Sequence, residues 1–286
     1  MNWKKIIVIT VIILVVIAGS AAIVFYPVYR FMFQENTQVV DKELTVVQGG
    51  GGNSGVLVTD SAVVVIDTKM GGDAEKLYNL AKSKAGAKKI IVINTHYHGD
   101  HVKGNKFFKG SDIYIGAYDP KFLSENIGSE NMPDKFVKDS LILNLGNEII
   151  CLYNLGQAHT MNDMVVLLRN RKILFSGDLI FHNTNPFLKR ESGANVDKWI
   201  GALDQMLKMP DIGMVIPGHG LTGDKAMITS MRNYFLDMKI AAADPSKEKE
   251  MKEKYKDWTQ LPMMTSPGAT IDYIRNAAKD ANKMER

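Results

Sequence analysis

Apolar and polar positions fall into short blocks along this chain, and their spacing predicts alternating strands and helices. From residue 44 the runs TVVQ (45–48), GVLVT (55–59) and AVVVID (62–67) are β-branched and separated by Gly, Asn and Asp, which predicts strands joined by tight turns. Residues 71–86 place Ala74, Leu77, Leu80 and Ala81 three and four apart and close on Gly86, which predicts a helix. KIIVIN (89–94) predicts a buried strand, DIYIG (112–116) another, and AYDPKFLSENI (117–127) a helix.

The second half has the same style. LILNL (141–145), NEIICLY (147–153), MVVLLR (164–169) and KILFS (172–176) predict strands. Residues 195–209 form an amphipathic pattern with Trp199, Leu203, Met206 and Leu207 on one face, then GMVIP (213–217) predicts a strand. Helical patterns follow at 224–240 and 270–284, and the sign-alternating stretch 246–257 is the solvated face of a helix. No repeat of 20 to 50 residues is visible. Strands in both halves with helices between and after them predict a layered α/β fold.

The N-terminus adds a different element. Residues 6–26 carry no charge over 21 positions, enough at about 1.5 Å per residue to cross a hydrocarbon core of about 30 Å. Lys4 and Lys5 precede the run and Arg30 follows it, which predicts a cytoplasmic N-terminus with the rest of the chain outside. A cleaved signal peptide is the rival reading, since AGSAA (18–22) offers small residues for cleavage and would leave a secreted or periplasmic protein. The apolar run continues past those small residues, which favours an uncleaved anchor. The organisation expected is therefore an anchor or signal at 1–30, a linker at 31–43, a catalytic domain at 44–224, and C-terminal helices at 225–286 packed on the same domain.

Composition narrows the partners. The formal charge of +4 over 286 residues, with no basic stripe interleaved with aromatics, argues against a nucleic-acid partner. The single cysteine, Cys151, excludes an intramolecular disulfide and sits in an apolar run as a small hydrophobe. GGGGNSG (49–55) lacks the Gly-Lys-Ser/Thr and helix of a phosphate loop. It is better explained as a hairpin turn beside something that needs close backbone approach.

The candidate chemistry starts in THYHGDH (95–101), which gathers half of the chain's six histidines. On a strand, His96 and His98 would share a face, and Gly99 would turn the chain to bring Asp100 and His101 to the same place. Imidazole and carboxylate are donors for zinc and similar cations. His159 in LGQAHT, Asp178 in LFSGDLI and His219 in VIPGHG each follow a predicted strand in a small-residue turn. Four strand exits thus each carry a ligand-type side chain.

In this order, THYHGDH, AHT, SGDL and PGHG, with VVVIDT ending near Asp67, resemble the metallo-β-lactamase superfamily of hydrolases over residues 44–224. The resemblance implies a four-layer αβ/βα sandwich with a two-metal site, most simply two Zn2+, with Fe or Mn as alternatives. It implies that His96, His98 and His159 hold the first metal, that Asp100, His101 and His219 hold the second, and that Asp178 bridges them. Asp100 and Asp178 would be the catalytic carboxylates, around a hydroxide shared by the two metals. Asp67 resembles the family's supporting carboxylate beneath the site, or is a plain turn residue. In the commonest zinc β-lactamases a cysteine stands in the slot of Asp178 and a substrate-binding lysine in that of Phe181, so this chain departs from them. The aspartate is similar instead to that of glyoxalase II, lactonase and phosphodiesterase members.

The function expected is hydrolysis of an ester, thioester, lactone, amide or phosphodiester in a small-molecule substrate outside the cytoplasm. The alternatives are a β-lactamase-like amidase and a mononuclear iron persulfide dioxygenase on the same fold. The loop 181–195 is expected to shape the substrate site. There His182 faces the pocket or is solvated, and Lys189 and Arg190 meet an anionic group or are solvated.

Overall fold

In the computed structural model, which describes residues 3–33, 35–260 and 264–284, Val63, Val64, Val65 and Ile66 are all fully buried. Alternate residues of a strand point to opposite faces, so this strand has apolar neighbours on both sides. Val64 and Ile66 pack in a core between two sheets, together with Ile91, Ile93, Leu152, Val166, Phe175 and Ile216. Val63 and Val65 pack on the outer side against helical Leu77, Ala81 and Ala85.

The first sheet has the spatial order β1 (Glu35–Val39), β2 (Leu44–Gly49), β3 (Ser54–Val58), β4 (Ala62–Ile66), β5 (Lys89–Ile93), β6 (Asp112–Gly116), β7 (Lys135–Val137). β1 to β4 pair antiparallel and β4 to β7 parallel. The N-terminal helix is α1 (Trp3–Phe33), and the parallel strands are joined through α2 (Gly71–Ala85), the one-turn α3 (Gly99–Val102) and α4 (Pro120–Ile127). The second sheet contains β8 (Ser140–Asn144), β9 (Ile149–Gly156), β10 (Asp163–Leu168) and β11 (Ile173–Phe181) in an antiparallel meander. β12 (Met214–His219) returns parallel to β11 after α5 (Val196–Lys208). The chain then forms α6 (Ala226–Ala243), α7 (Glu248–Lys254) and α8 (Pro267–Met284).

The outer face of the second sheet packs Val165, Leu167, Leu174 and Val215 against Trp199, Leu203 and Met206 of α5 and Met231 and Phe235 of α6. Met251 of α7 and Ile271 of α8 join the same core. The layers are therefore helix, sheet, sheet, helix, the expected αβ/βα sandwich, with the C-terminal helices on one outer face.

Three expectations change. The polar segment expected as a linker contains β1, an edge strand paired with β2 from Glu35 opposite Gly49 to Val39 opposite Thr45. An edge strand needs only backbone partners, so ENTQV carries no apolar signal for it. β5 ends at Ile93, so His96 and His98 stand on a loop and not on a strand. Residues 6–26 lie within α1, and among the described residues no helix is long and apolar enough to cross a membrane. The expectation of a transmembrane anchor thus receives no support from the fold, and the side chains of Lys4, Lys5 and Arg30, which would set its orientation, lie outside those described.

Candidate metal centre

The loop after β5 is held by its own polar side chains. Asn94 Nδ2 donates to the carbonyl of His101 at 2.8 Å, and Asn105 Nδ2 donates to Asn94 Oδ1 at 2.8 Å. Thr95 donates its backbone N–H to Asp67 Oδ1 at 2.7 Å and its hydroxyl to Asp67 Oδ2 at 2.8 Å. This folds residues 94–98 back onto the exit of β4, and one turn of helix then presents Asp100 and His101.

The remaining ligand-type residues come from the second sheet. His159 follows β9 in a turn pinned by Thr160, whose N–H and hydroxyl donate to Asp163 Oδ2 and Oδ1 at 2.8 and 2.9 Å. Asp178 lies within β11, and His219 ends β12. Glycine flanks Asp178 because nothing larger fits. A Cβ on Gly177, which has φ +51°, would stand 2.6 Å from Thr95 Cβ, and one on Gly218 would stand 2.0 Å from Asp178 Oδ1.

Two groups of donors result: His96, His98, His159 and Asp178, and Asp100, His101 and His219, each with its ligand atoms within 4.8 Å of one another. Asp178 joins them. Its Oδ2 lies 3.8 Å from His96 Nε2, 3.3 Å from His159 Nε2 and 3.4 Å from His219 Nε2, and its Oδ1 lies 3.2 Å from His101 Nε2. Asp100 Oδ2 is 3.4 Å from His219 Nε2 and 3.7 Å from His101 Nε2.

The hydrogen-bond network assigns the ring nitrogens. His101 Nδ1 meets Asp67 Oδ2 at 2.8 Å, so its proton sits there and Nε2 turns its lone pair inward. The Thr95 hydroxyl donates to Asp67, so its oxygen accepts from His96 Nδ1–H at 3.1 Å, and His96 Nε2 also faces inward. His98 Nε2 pairs with Ser192 Oγ at 2.9 Å, leaving Nδ1 facing His159 Nε2 at 2.9 Å. The Nε2 atoms of His96 and His101 and Oδ1 of Asp178 are buried without a hydrogen-bond partner.

Acceptors facing acceptors in a buried site call for a cation. Donor atoms about 2.1 Å from a tetrahedral ion stand about 3.4 Å apart, and the separations here bracket that spacing. The residues present therefore fit a metal ion. Without one, burial pushes His96 well below the usual imidazole range, with the charge of His101 adding to it. Burial pushes His98 down to about 3, with His159 next in effect. Burial opposes charge on His101 as well, but Asp178, Asp67 and Asp100 hold it well above the usual range. The same imidazoles, His219 foremost, outweigh burial at Asp178 and hold its carboxyl well below the ordinary carboxylate range.

A cavity of about 340 Å³ opens onto this cluster, reaching His98, Asp100, Asp178 and His219. Met70, Tyr97, Phe181, Phe187 and Met264 supply an apolar wall, and Lys103 and Lys189 supply cations. Phe181 stacks on His219 with ring centroids 5.3 Å apart and also meets His159 edge-on, so it shields the imidazoles. Trp199 backs His159 at 5.1 Å and donates Nε1–H to Leu179 O at 3.0 Å.

Of the three polar residues expected on the substrate loop, Lys189 lines this cavity. His182 lines a neighbouring cleft instead, with Nδ1 2.7 Å from Leu221 O. Arg190 pairs with Asp280 of α8 and lies 5.7 Å from the Tyr273 ring. Sequence reading missed Thr95, Ser192 and Lys103. Thr95 and Lys103 lie inside or beside the histidine motif, and Ser192 carries no local signal.

Residues 47–219 match the family model for the metallo-beta-lactamase superfamily. A metallo-beta-lactamase type 2 of Bacteroides fragilis is 28% identical over 204 residues, 67% of this chain and 81% of the relative. Another from Bacillus cereus is 28% identical over 180 residues, 62% of this chain and 70% of the relative. In fold, a metallo-beta-lactamase from Pontibacter korlensis superposes with a TM-score of 0.64 at 21% identity, covering 71% of this chain and 100% of that one. The DIM-1 metallo-beta-lactamase superposes at 0.60 with 23% identity, covering 70% and 96%. Sheet order, donor cluster and the 47–219 match agree, and the chain belongs to the metallo-beta-lactamase superfamily of hydrolases.

Proposed function

We propose that this chain is a binuclear, zinc-dependent hydrolase of an ester, thioester, lactone, amide or phosphodiester. The observation that carries the reading is the Asp178 carboxylate, which faces imidazoles of both donor groups within 4 Å. His96, His98 and His159 would hold one cation, Asp100, His101 and His219 a second, and Asp178 would touch both. Two such cations would supply Lewis acidity and lower the pKa of a water between them.

The protein's own contribution is shaping and proton handling. Asp100 is the ligand-type carboxylate with the more open side chain, 21% exposed against 5% for Asp178, so it is placed to orient a water and accept its proton at Oδ. Phe181, Phe187 and Met70 exclude bulk water from the cavity. Lys103 and Lys189 are placed to hold an anionic group of the substrate.

A β-lactamase-like amidase is the second reading. It is favoured by relatives named metallo-beta-lactamases over 62 to 67% of the chain. It is disfavoured by Phe181, which leaves no lysine at that point of the wall. The experiment is metal analysis of the purified full chain, with a hydrolysis panel of nitrocefin, a lactone, a thioester and bis-nitrophenyl phosphate. Two metals per chain and turnover of one ester-type substrate are expected. Turnover of nitrocefin alone would move the reading to the amidase, and one iron with sulfur-dependent oxygen uptake would overturn it.

We place the catalytic domain outside the cytoplasm on the end of α1. Support comes from the sequence alone: the uncharged apolar run of residues 6–26 and the lysines that precede it. N-terminal sequencing of the mature protein checks this: a start near residue 21 would replace the anchor with a cleaved signal.

A further inference from the structure

The glycine-rich turn between β2 and β3 touches the second donor group more closely than any side chain could. A Cβ on Gly51, which has φ +88°, would stand 2.8 Å from Asp100 Cβ. One on Gly52 would stand 2.4 and 2.5 Å from Cε1 and Nε2 of His101. The backbone of the turn therefore lies directly against two of the three residues that would hold the second cation.

Two buried polar side chains secure the turn. Lys69 is fully buried, and its ammonium donates to Gly52 O at 2.8 Å and to Gly49 O. It projects from a bend in which Asp67 and Lys69 have φ +56° and +60°. A buried ammonium and left-handed non-glycine backbone are both unfavourable, and they persist where surrounding structure demands them. The same bend carries Asp67, which holds His101 Nδ1 from the opposite side.

Asn53 secures the other end. Its N–H donates to Gly218 O at 2.7 Å, and Nδ2 donates to Pro217 O and Gly220 O, both at 2.8 Å. These carbonyls flank His219. Asn53 Oδ1 accepts from Gly49 N at 2.9 Å, which closes the turn on itself. Asp100 and His101 follow the first sheet and His219 ends a strand of the second, so residues 49–53 span the seam between the two sheets at this site. None of the hydrogen bonds made by Lys69 or Asn53 goes to His96, His98 or His159.

We propose that residues 49–53 are a bracket that positions Asp100, His101 and His219 relative to one another, with Lys69 and Asn53 as its positioning residues. This rests on the two-cation reading above. The bracket sets the affinity for the second cation and leaves the first alone. Groups that orient metal ligands typically change affinity by about 10- to 100-fold.

The test is zinc binding by equilibrium dialysis against buffered free zinc, using the full chain and its Lys69→Met, Lys69→Arg and Asn53→Ala variants, with thermal midpoints measured in parallel. Wild type should bind two ions. Lys69→Met and Asn53→Ala should bind the first ion as wild type does and the second at least tenfold more weakly, with Lys69→Arg intermediate. Should Lys69→Met fail to fold, Asn53→Ala and Lys69→Arg decide. A wild type that binds fewer than two ions overturns the two-cation reading itself. Two ions bound with unchanged affinities in the variants overturn the bracket. Equal weakening of both ions, together with a lowered midpoint, also overturns it, because that is general destabilisation.

Discussion

His101 donates a hydrogen bond from Nδ1–H to Asp67 across 2.8 Å, and this bond turns Nε2 toward Asp178 and the interior of the site. Asp67 also accepts from the N–H and hydroxyl of Thr95, so one carboxylate orients the imidazole of His101 directly and that of His96 through Thr95. Asp67 itself stands in left-handed backbone, with φ +56°. Asp67→Asn replaces an acceptor with a donor facing donors. Zinc affinity at the second position should fall about 10- to 100-fold, measured by competition with a chromophoric chelator. An unchanged affinity would remove Asp67 from the site's support.

Asp178→Ala tests the junction of the two donor groups. The variant should retain at most one metal and lose at least about 100-fold in hydrolysis, on the scale typical of groups that stabilise charge in a transition state. Metal content and initial rates on the best panel substrate check this. Full activity with two metals would remove Asp178 from the centre.

Ser192 connects the loop carrying Lys189 to His98, through a 2.9 Å contact with Nε2. Ser192→Ala frees that nitrogen, and zinc affinity at the first position should fall by about tenfold while the second is kept. Cobalt substitution with absorption spectroscopy would read the two positions separately. Equal loss at both would contradict a role confined to His98.

Lys103 and Lys189 line the cavity over the site, and a substrate anion is the natural partner for them. Lys103→Gln and Lys189→Gln should each raise KM for a carboxylate-bearing substrate by about 3- to 10-fold, the worth of roughly a kcal/mol of ion pairing at an exposed site, with kcat little changed. The matched neutral ester should be indifferent. If both substrates respond alike, the lysines act on the fold and not on the anion.

Burial pushes the Lys69 ammonium down to about 8, against the opposing pull of Glu35, Asp73, Asp100 and Asp67. Its folded value lies below its unfolded one, so between about 8 and 10.5 the unfolded chain binds more protons and stability rises with pH. The destabilisation is fully present below about 8 and is relieved as pH climbs toward 10.5, by up to about 3 kcal/mol. Denaturant midpoints of the chelated protein should rise across this window in wild type relative to Lys69→Met. Parallel pH profiles would show that the ammonium keeps its ordinary affinity for protons.

Much of the architecture is visible in local patterns because burial on two faces leaves unbroken apolar runs. VVVI of β4 and KIIVI of β5 read as strands for that reason, and Trp199, Leu203 and Met206 read as one helix face. β1 does not, since an edge strand of ENTQV is held by backbone bonds that its side chains do not report. Period-two alternation puts His96 and His98 on a shared strand face, yet the strand stops at Ile93 and the loop beyond it is shaped by Asp67, 28 residues earlier than Thr95.

The sequence by itself determined the donor chemistry: five imidazoles and two carboxylates, in an order that marks the superfamily. Tertiary structure alone decided which of them face one another, and through which nitrogen. It sent His182 and Arg190 away from the cavity that Lys189 lines, joined Ser192 to His98, and set Lys69 and Asn53 on the turn at 49–53. The physical reason is range. Periodicity and turn chemistry act over a few residues, whereas the Asn53–Pro217 contact spans 164 positions and exists only once two sheets have packed face to face.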